Sequence, residues 1–265
     1  MTDPHYVAPE VLSQLHADPR DNLIGFDAEN HVYSIVGRAR NPLSVTTVIK
    51  RHFEPFDTAA VIKGMMASPK WASNELYGST PAQIKATWED AARMGTDLHR
   101  AIEIYYNQEA DPTLVYEASS DWLDKVRASP EYGYFLKFAK FFVEKFPDFA
   151  PHRTEWVIFD EERGLAGTID MTFINKAGEI IIVDWKRSKN VTDQAYKGKC
   201  GTGALQGWPD ANFYHYSGQL NLYRSILEAR YSVKVVGMYL VVCHPNQNTF
   251  RFLPVGAVDM SRVKA

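Results

Sequence analysis

The chain is poor in cysteine. Its 265 residues include only two, Cys200 and Cys243, and these do not form a C-x-x-C pair. A disulfide framework needs several paired cysteines, and cysteine-bound zinc sites and iron–sulfur clusters need several thiolate ligands. The sequence therefore excludes a disulfide scaffold, a cysteine-zinc module and a four-cysteine iron–sulfur cluster.

Long apolar runs and an excess of positive charge are also missing. The most apolar run, residues 235–243, is far shorter than the roughly 18 residues that a membrane helix needs. The first residues, Met1-Thr2-Asp3-Pro4-His5, lack the basic and then apolar pattern of a secretion signal. We therefore expect a soluble intracellular protein, in the cytoplasm or in a host cell if viral, with no membrane partner.

The charge balance bears on nucleic-acid binding. With 29 Lys+Arg against 32 Asp+Glu, the net charge is −3, which excludes a histone-like coat around nucleic acid. It remains compatible with a local basic groove, because binding depends on the charge that faces the ligand. Hydrophobic residues make up 45% of the chain, which is typical of a folded protein near the upper size for one core.

Hydrophobic periodicity and turn residues predict an α/β (α+β) fold with a central mixed β-sheet flanked by helices. A hairpin is predicted at the N-terminal side, then a helix capped by Ser44 and a long helix whose capping box is Thr80 and Gln83. Three strands joined by short turns should form an antiparallel meander. The remaining predicted elements are a helix over residues 131–146, meander strands over 153–160, 165–174 and 179–186, a helix over 212–229, and strands over 233–243 and 249–254.

The second and third meander strands carry charged residues within apolar sequence. Since side chains alternate along a strand, Asp184 and Lys186 share one face and Trp185 points to the other. Asp170 lies 14 residues before Asp184, across one short hairpin, so the two carboxylates can lie close together. Buried carboxylates repel unless a cation compensates, and oxygen ligands favour Mg²⁺ or Mn²⁺. The Lys186 ammonium could hold a water or stabilise charge on a phosphate, although an Asp-x-Lys pair alone is more often a solvated ion pair.

Two helices add polar residues with competing interpretations. His99 lies at the edge of the buried stripe of the Thr80 helix, where a lone histidine is more often structural than a ligand. Gln219 and Tyr223 are four residues apart and share a helix face, which taken alone indicates a surface with a half-buried tyrosine.

Taken together, these segments resemble the PD-(D/E)XK nucleases, in particular the RecB-like branch with its phage, viral and mitochondrial genome maintenance exonucleases. The resemblance rests on four motifs in the order of that family. They are Gly95-Thr96-Asp97-Leu98-His99, Ala166-Gly167-Thr168-Ile169-Asp170, Ile182-Val183-Asp184-Trp185-Lys186-Arg187-Ser188 and Gln219-Leu220-Asn221-Leu222-Tyr223. Ile169 stands where the family name has proline, a common change in this branch.

The resemblance implies roles for individual residues. It makes Lys186 the catalytic lysine, with Glu155 at an upstream acidic position that could equally be an ordinary exposed strand residue. The implied metal ligands are His99, Asp170, Asp184 and the backbone carbonyl of Trp185. The implied substrate-binding residues are Gln219, Tyr223, Ser188, Arg187, Lys189 and Ser44.

The implied protein is one nuclease domain over residues 1–265, with an N-terminal elaboration over about 1–80 and a PD-(D/E)XK core over about 81–255. We expect a Mg²⁺- or Mn²⁺-dependent exonuclease that acts on DNA, single-stranded or end-containing, in recombination, repair or replication, with a possible protein partner from those processes. A structure- or sequence-directed endonuclease is the first alternative. An inactive nucleic-acid-binding module is the second.

Basic residues after the third meander strand predict the path of the DNA. Five of them form a local positive strip: Lys186, Arg187, Lys189, Lys197 and Lys199. The Gly-rich residues 197–209, flanked by Tyr196 and Trp208, either close over a strand and stack on its bases or form a surface loop with a buried tryptophan.

Overall fold

The computed structural model describes residues 7–113 and 121–265 and contains a six-stranded mixed sheet with helices on both faces. The N-terminal residues 1–5, considered above for a secretion signal, lie outside the described residues. The helices are α1 (Val11–Leu15), α2 (Val45–Arg51), α3 (Thr58–Met66), α4 (Pro81–Ala110), α5 (Asp121–Arg127), α6 (Pro130–Lys145) and α7 (Asn212–Arg230). The strands are β1 (Ile24–Asp27), β2 (Val32–Ile35), β3 (Leu43–Ser44), β4 (Ala150–Asp160), β5 (Leu165–Ile174), β6 (Glu179–Lys186), β7 (Lys234–Val242) and β8 (Arg251–Pro254).

The predicted meander is confirmed, and the sheet is mixed. Strands β4, β5 and β6 are antiparallel neighbours. On either side of this unit the pairing is parallel, between β3 and β5 and between β6 and β7, and β8 closes the sheet next to β7. The antiparallel pairs follow from short turns, whereas the parallel ones require long crossovers. The fold class expected from the sequence is thus the one observed.

Two hydrophobic cores hold the helices against the sheet. Helices α2 and α7 cover one face, which we call the α7 face, where Val45, Ile49 and Tyr223 are buried. Helices α4 and α6 cover the other, the α4 face, with Phe135 and Phe138 fully buried. A buried aromatic side chain contributes about 3 kcal/mol relative to an exposed one, so these helices are held by packing rather than by helix propensity.

Local sequence signals locate several helix and strand ends correctly. The capping box of Thr80 and Gln83 begins α4, and Ser44 caps α2 by accepting a hydrogen bond from the Thr47 N–H. The predicted N-terminal hairpin is confirmed as β1 and β2. In contrast, the sequence analysis did not predict α1, α3 and α5, which are short and contribute few residues to the cores.

The N-terminal part of the chain joins the sheet directly. Strand β3 pairs with the start of β5, and α2 places Val48 and Phe53 in the core on the α7 face. Residues 43–53 therefore belong to the sheet and to the core on the α7 face. None of the helices in the described residues is long and apolar enough to cross a membrane.

Candidate active site

The sheet divides at the ends of β5 and β6. Their antiparallel pairing stops at Met171 and Val183, while β6 continues beside β7 as far as Lys186. On the same edge of β5, β3 takes over only at Leu165 and Ala166. Residues 167–170 of β5 and 184–186 of β6 thus face each other without a backbone ladder. We call this gap the fork.

Site residues replace the missing ladder at Trp185. Continuing the register of the β5–β6 pair would place Trp185 opposite Ile169. Instead, the Trp185 N–H donates to Asp170 Oδ2 at 2.9 Å, and the Trp185 carbonyl accepts from His99 Nε2 at 3.0 Å. Because both backbone groups are satisfied, the fork remains open without an unpaired buried amide. His99 Nε2 carries the proton of this bond, which leaves Nδ1 facing the carboxylates.

An irregularity in β4 and β5 turns two carboxylates toward His99. Ile169 packs on the α7 face and Met171 on the α4 face, although regular alternation would put both on one face. Opposite this switch, Glu155 lies between the paired residues Thr154 and Trp156 and has a φ of 44°. A left-handed conformation costs a non-glycine residue roughly 1–2 kcal/mol. Local strain at a cluster of polar groups is typical of functional sites.

His99, Glu155 and Asp170 form a compact cluster. His99 Nδ1 lies 3.8 Å from Glu155 Oε1 and 3.6 Å from Asp170 Oδ2, and one ligand atom from each residue lies within 4.8 Å of the others. Burial alone would lower the pKa of His99, but Asp170 and Glu155 outweigh it and raise the pKa to about 9. Burial also raises the pKa of Glu155. Without a cation, the His99 imidazolium supplies the positive charge between two carboxylates, and a cation bound at Nδ1 would replace this proton.

Asp184 and Lys186 form a second, adjacent unit. Lys186 Nζ lies 2.6 Å from Asp184 Oδ2, as expected for two residues on one strand face. Burial raises the pKa of Asp184 to about 6, against the opposing effect of Lys186. Burial would lower the pKa of Lys186, but the carboxylates of Asp184 and Asp170 raise it above its ordinary value. Asp184 Oδ2 is held by this ion pair, whereas the buried Oδ1 has no hydrogen-bond donor within the described residues.

Helix α7 closes the site from one face. Gln219 Nε2 donates to the Tyr223 hydroxyl at 2.8 Å and reaches Thr46 Oγ1 at 3.4 Å. Thr46 belongs to α2 and Tyr223 is buried, so Gln219 links α7 to α2 beneath the fork. Sequence reasoning missed Tyr216, whose ring lies 4.7 Å from Lys186 Nζ. Its spacing could have shown it, because Tyr216 precedes Gln219 by three residues and shares its helix face.

The Tyr223 ring lies directly against Gly167 of β5. A Cβ atom at Gly167 would be 2.5 Å from Tyr223 Cε1. We therefore expect Gly167→Ala to lower the free energy of unfolding by about 1–3 kcal/mol, since a buried aromatic ring would have to move. Thermal unfolding would measure this. The matched control is Gly133→Ala in α6, where a Cβ meets nothing within 4 Å. Equal melting temperatures for wild type and Gly167→Ala would contradict the packing argument.

Most of the expected positive strip is already paired. Arg187 Nε donates to Glu131 Oε1 at 2.8 Å in a mostly buried pair, so its guanidinium is not an open contact for substrate. Lys189 pairs with Glu75, and Lys199 pairs with Glu54. Lys197 lies over the Tyr196 ring. The sequence alone could not show these ion pairs, because the acidic partners come from distant parts of the chain.

The other residues expected at the substrate have local partners. Ser188 Oγ donates to the Asn190 carbonyl, and Ser44 is occupied as the cap of α2. Trp208 is partly buried against the core of the α7 face, which corresponds to the anchoring interpretation of the Gly-rich segment. Tyr196 is 70% exposed.

The donor set of the fork fits a hard divalent cation. It contains the carboxylates of Glu155, Asp170 and Asp184, one imidazole and the Trp185 carbonyl, and oxygen-rich sets of this kind suit Mg²⁺ and Mn²⁺. The buried Asp184 Oδ1, which has no donor among the described residues, is the strongest sign of fit, since a buried carboxylate oxygen is costly without a partner. The grouping differs from the expected one in two respects. Glu155 rather than Asp184 joins His99 and Asp170, and the Trp185 carbonyl is bonded to His99.

Comparisons with known proteins place this geometry in context. A family model described as the PD-(D/E)XK nuclease superfamily matches residues 68–261, well over half of the chain. The chain is similar to the crystal structure of SSO0001, with 18% identity and a TM-score of 0.25 over 63% of this chain and 69% of that one. It is also similar to a protein from Eubacterium rectale provisionally described as an exonuclease, with 9% identity and a TM-score of 0.34 over 82% of this chain and 73% of that one. No curated protein matches the sequence.

Proposed function

Since the chain belongs to the PD-(D/E)XK nuclease superfamily, its substrate is a nucleic acid, and we propose that it is a DNA exonuclease of the RecB-like branch. It requires Mg²⁺ or Mn²⁺, hydrolyses phosphodiester bonds from a DNA end, and serves recombination, repair or replication. The whole chain acts as one nuclease domain on this proposal, because β3 and α2 belong to the sheet and core that carry the fork.

The main observation that supports this proposal is the geometry of the fork. It brings four titratable side chains and a lysine from α4, β4, β5 and β6 to one place, and it leaves the buried Asp184 Oδ1 without a donor among the described residues. Asp170, Asp184, Glu155 and His99 would hold the cation, with the Trp185 carbonyl as a further ligand. When bound, the cation supplies a water of lowered pKa and neutralises charge on the phosphate. An inactive binding module has no physical need for clustered carboxylates beside a phosphate, because they would repel it.

Lys186 acts as a cation rather than as a base. Its pKa is raised and its ammonium contacts Asp184, so it holds its proton at neutral pH. A protonated lysine can donate a hydrogen bond to a phosphate oxygen or to the attacking water, where charge develops in the transition state. The Tyr216 ring beneath it favours the charged form and limits where the ammonium can move.

The charge distribution favours action at an end over tight binding along a duplex. The net charge is −3, and four of the five residues of the positive strip are in ion pairs. Non-specific duplex binding depends on the number of phosphates that free Lys and Arg neutralise, so continuous duplex should be held weakly. Together with the resemblance to a branch that mostly degrades DNA from ends, this supports the exonuclease over the endonuclease.

Linear and closed substrates of the same sequence separate the candidate functions. We expect the protein with Mg²⁺ or Mn²⁺ to degrade a linear end-labelled single strand and to leave a covalently closed circle intact. An Asp170→Asn variant purified in parallel should be inactive on both, which excludes a contaminating nuclease. Rapid nicking of the circle would establish an endonuclease instead. Binding of both substrates without cleavage by the wild type would establish an inactive binding module.

A further inference from the structure

A cavity of about 740 Å³ lies between two segments that are distant in sequence. One wall comes from the segment after α2, residues 54–75, which we call the arm. The other wall comes from Tyr196 and from residues near the start of α7. Each wall of the cavity contributes two aromatic rings, Phe56 and Trp71 from the arm and Tyr196 and His215 from the other wall. We call it the aromatic cavity.

Two rings of the aromatic cavity, one on each wall, are largely exposed to solvent. Phe56 is 71% exposed and Tyr196 is 70% exposed. A fold gains nothing from leaving such rings in water, and exposed apolar surface in a concave place is typical of a binding site. The Phe56 ring is tilted by 54° against the Trp88 ring, at a centroid separation of 6.3 Å.

Two short connections join the aromatic cavity to the catalytic lysine of the proposed nuclease. His215 lines the cavity, and the next residue, Tyr216, carries Lys186 Nζ over its ring. Lys189, three residues after Lys186, pairs with Glu75 at the end of the arm at 2.7 Å. The wall of the cavity and the fork are therefore linked through neighbouring residues of α7 and through the ion pair at the end of the arm.

The charged residues that line the cavity indicate which kind of ligand it can bind. Its acidic groups already have partners: Glu54 pairs with Lys199, Asp210 contacts His215, and Asp57 caps α3. The lining has no surplus of positive charge, so it does not attract phosphate. Flat neutral groups that stack on aromatic rings fit it better. Lys197 lies outside the lining and is exposed, where it can follow a phosphate backbone.

We propose that the aromatic cavity binds unpaired nucleobases of a single DNA strand whose phosphate lies in the fork. This rests on the proposed function for the identity of the polymer. Bases in a duplex have both faces covered by their neighbours, so only an unpaired strand can stack a base on Phe56 or Tyr196. The cavity thus makes single-stranded DNA the preferred substrate, through contacts that carry no sequence information.

Binding to normal and abasic strands tests the proposal directly. The probes are a fluorescein-labelled 20-nucleotide oligothymidylate and an abasic strand of the same length, with anisotropy measured in EDTA so that no cleavage occurs. Wild type should bind the oligothymidylate about tenfold more tightly than the abasic strand, as expected for loss of one or two stacked bases. Phe56→Ala and Tyr196→Ala should each remove most of this difference and leave abasic binding unchanged.

Controls and contrary outcomes keep the result unambiguous. Tyr196→Phe should retain the difference, because it keeps the ring, and Val143→Ala should behave as wild type, because Val143 is exposed on α6 away from the lining. Equal binding of the two strands by wild type would overturn the proposal. An equal loss for both probes in the alanine variants, or tighter binding of a duplex, would overturn it as well.

The binding experiment and the cleavage assay together separate this proposal from the proposed function. If wild type discriminates between the strands but cleaves neither the linear nor the circular DNA with Mg²⁺ or Mn²⁺, the exonuclease proposal fails and the base-binding cavity stands. If it cleaves from ends but does not discriminate, the cavity proposal alone fails.

Discussion

Lys186→Gln should reduce DNA cleavage by about 10²- to 10³-fold while metal affinity is largely kept. The loss is that of a positive donor aimed at developing charge, whose removal typically has an effect of this size. Lysine supplies no metal ligand in the proposed mechanism, whereas Asp184 does. Titration calorimetry with Mn²⁺ should therefore show nearly wild-type binding for Lys186→Gln and strongly weakened binding for Asp184→Asn. Equal loss of metal affinity in the two variants would contradict the assigned roles.

Stability gives an independent check on the same pair. Lys186→Gln leaves the Asp184 carboxylate buried without its ion partner, and breaking one side of a buried pair typically costs about 3–5 kcal/mol. The double variant Asp184→Asn/Lys186→Gln removes the uncompensated charge, so it should melt at a higher temperature than Lys186→Gln alone. It should stay inactive, which separates the catalytic loss from the structural one. Lys189→Gln, which breaks only an exposed ion pair, is the matched control.

His99→Gln should weaken Mn²⁺-supported cleavage by roughly 10- to 100-fold, a size typical of disturbed metal sites. The imidazole Nδ1 faces Glu155 and Asp170, and an imidazole ligand shifts preference toward Mn²⁺ relative to an all-oxygen set. Raising the Mn²⁺ concentration should restore part of the activity. Full activity at low Mn²⁺ together with a large fall in melting temperature would favour a purely structural histidine.

The metal-free His99→Gln protein should also melt at a lower temperature than wild type. His99 supplies the positive charge between two carboxylates and donates to the Trp185 carbonyl, and glutamine keeps only the hydrogen-bonding capacity. Adding Glu155→Gln should recover apo stability by removing the repulsion, without recovering cleavage. If the double variant is no more stable than the single one, the electrostatic account of the cluster is wrong.

Parts of the fold that depend on local signals could be predicted from the sequence. Helix α4 combines a capping box with a regular apolar stripe, and the meander has alternating strands with short turns. The pairing of β3 with β5 could not be predicted, because it joins residues far apart in the chain through only two pairs. Helix α3 was missed since it buries only Ile62 and so shows no clear stripe.

The site was predictable to the extent that strand alternation and the family resemblance determine it. Alternation places Asp184 and Lys186 together, and the structure has them 2.6 Å apart. The role of His99 came from the resemblance and remains a prediction. What the sequence could not show is geometry that breaks alternation, namely the left-handed Glu155. It also could not show ion pairs to remote acids, such as the Arg187–Glu131 pair.

The position of β6 in the sheet sets the order in which the site can be completed during synthesis. The end of β6 is held by later residues, since Lys186 pairs with Val242 and its carbonyl accepts from the Cys243 N–H. A ribosome adds about 5–20 residues per second, and N-terminal parts of a protein can fold first during synthesis. A nascent chain that ends near residue 200 already contains His99, Asp170 and Lys186, yet β6 then lacks the strand on its other edge. Residues 234–242 must therefore leave the ribosome before both edges of β6 can pair, so the side chains of the fork reach their final positions only after β7 has been synthesised.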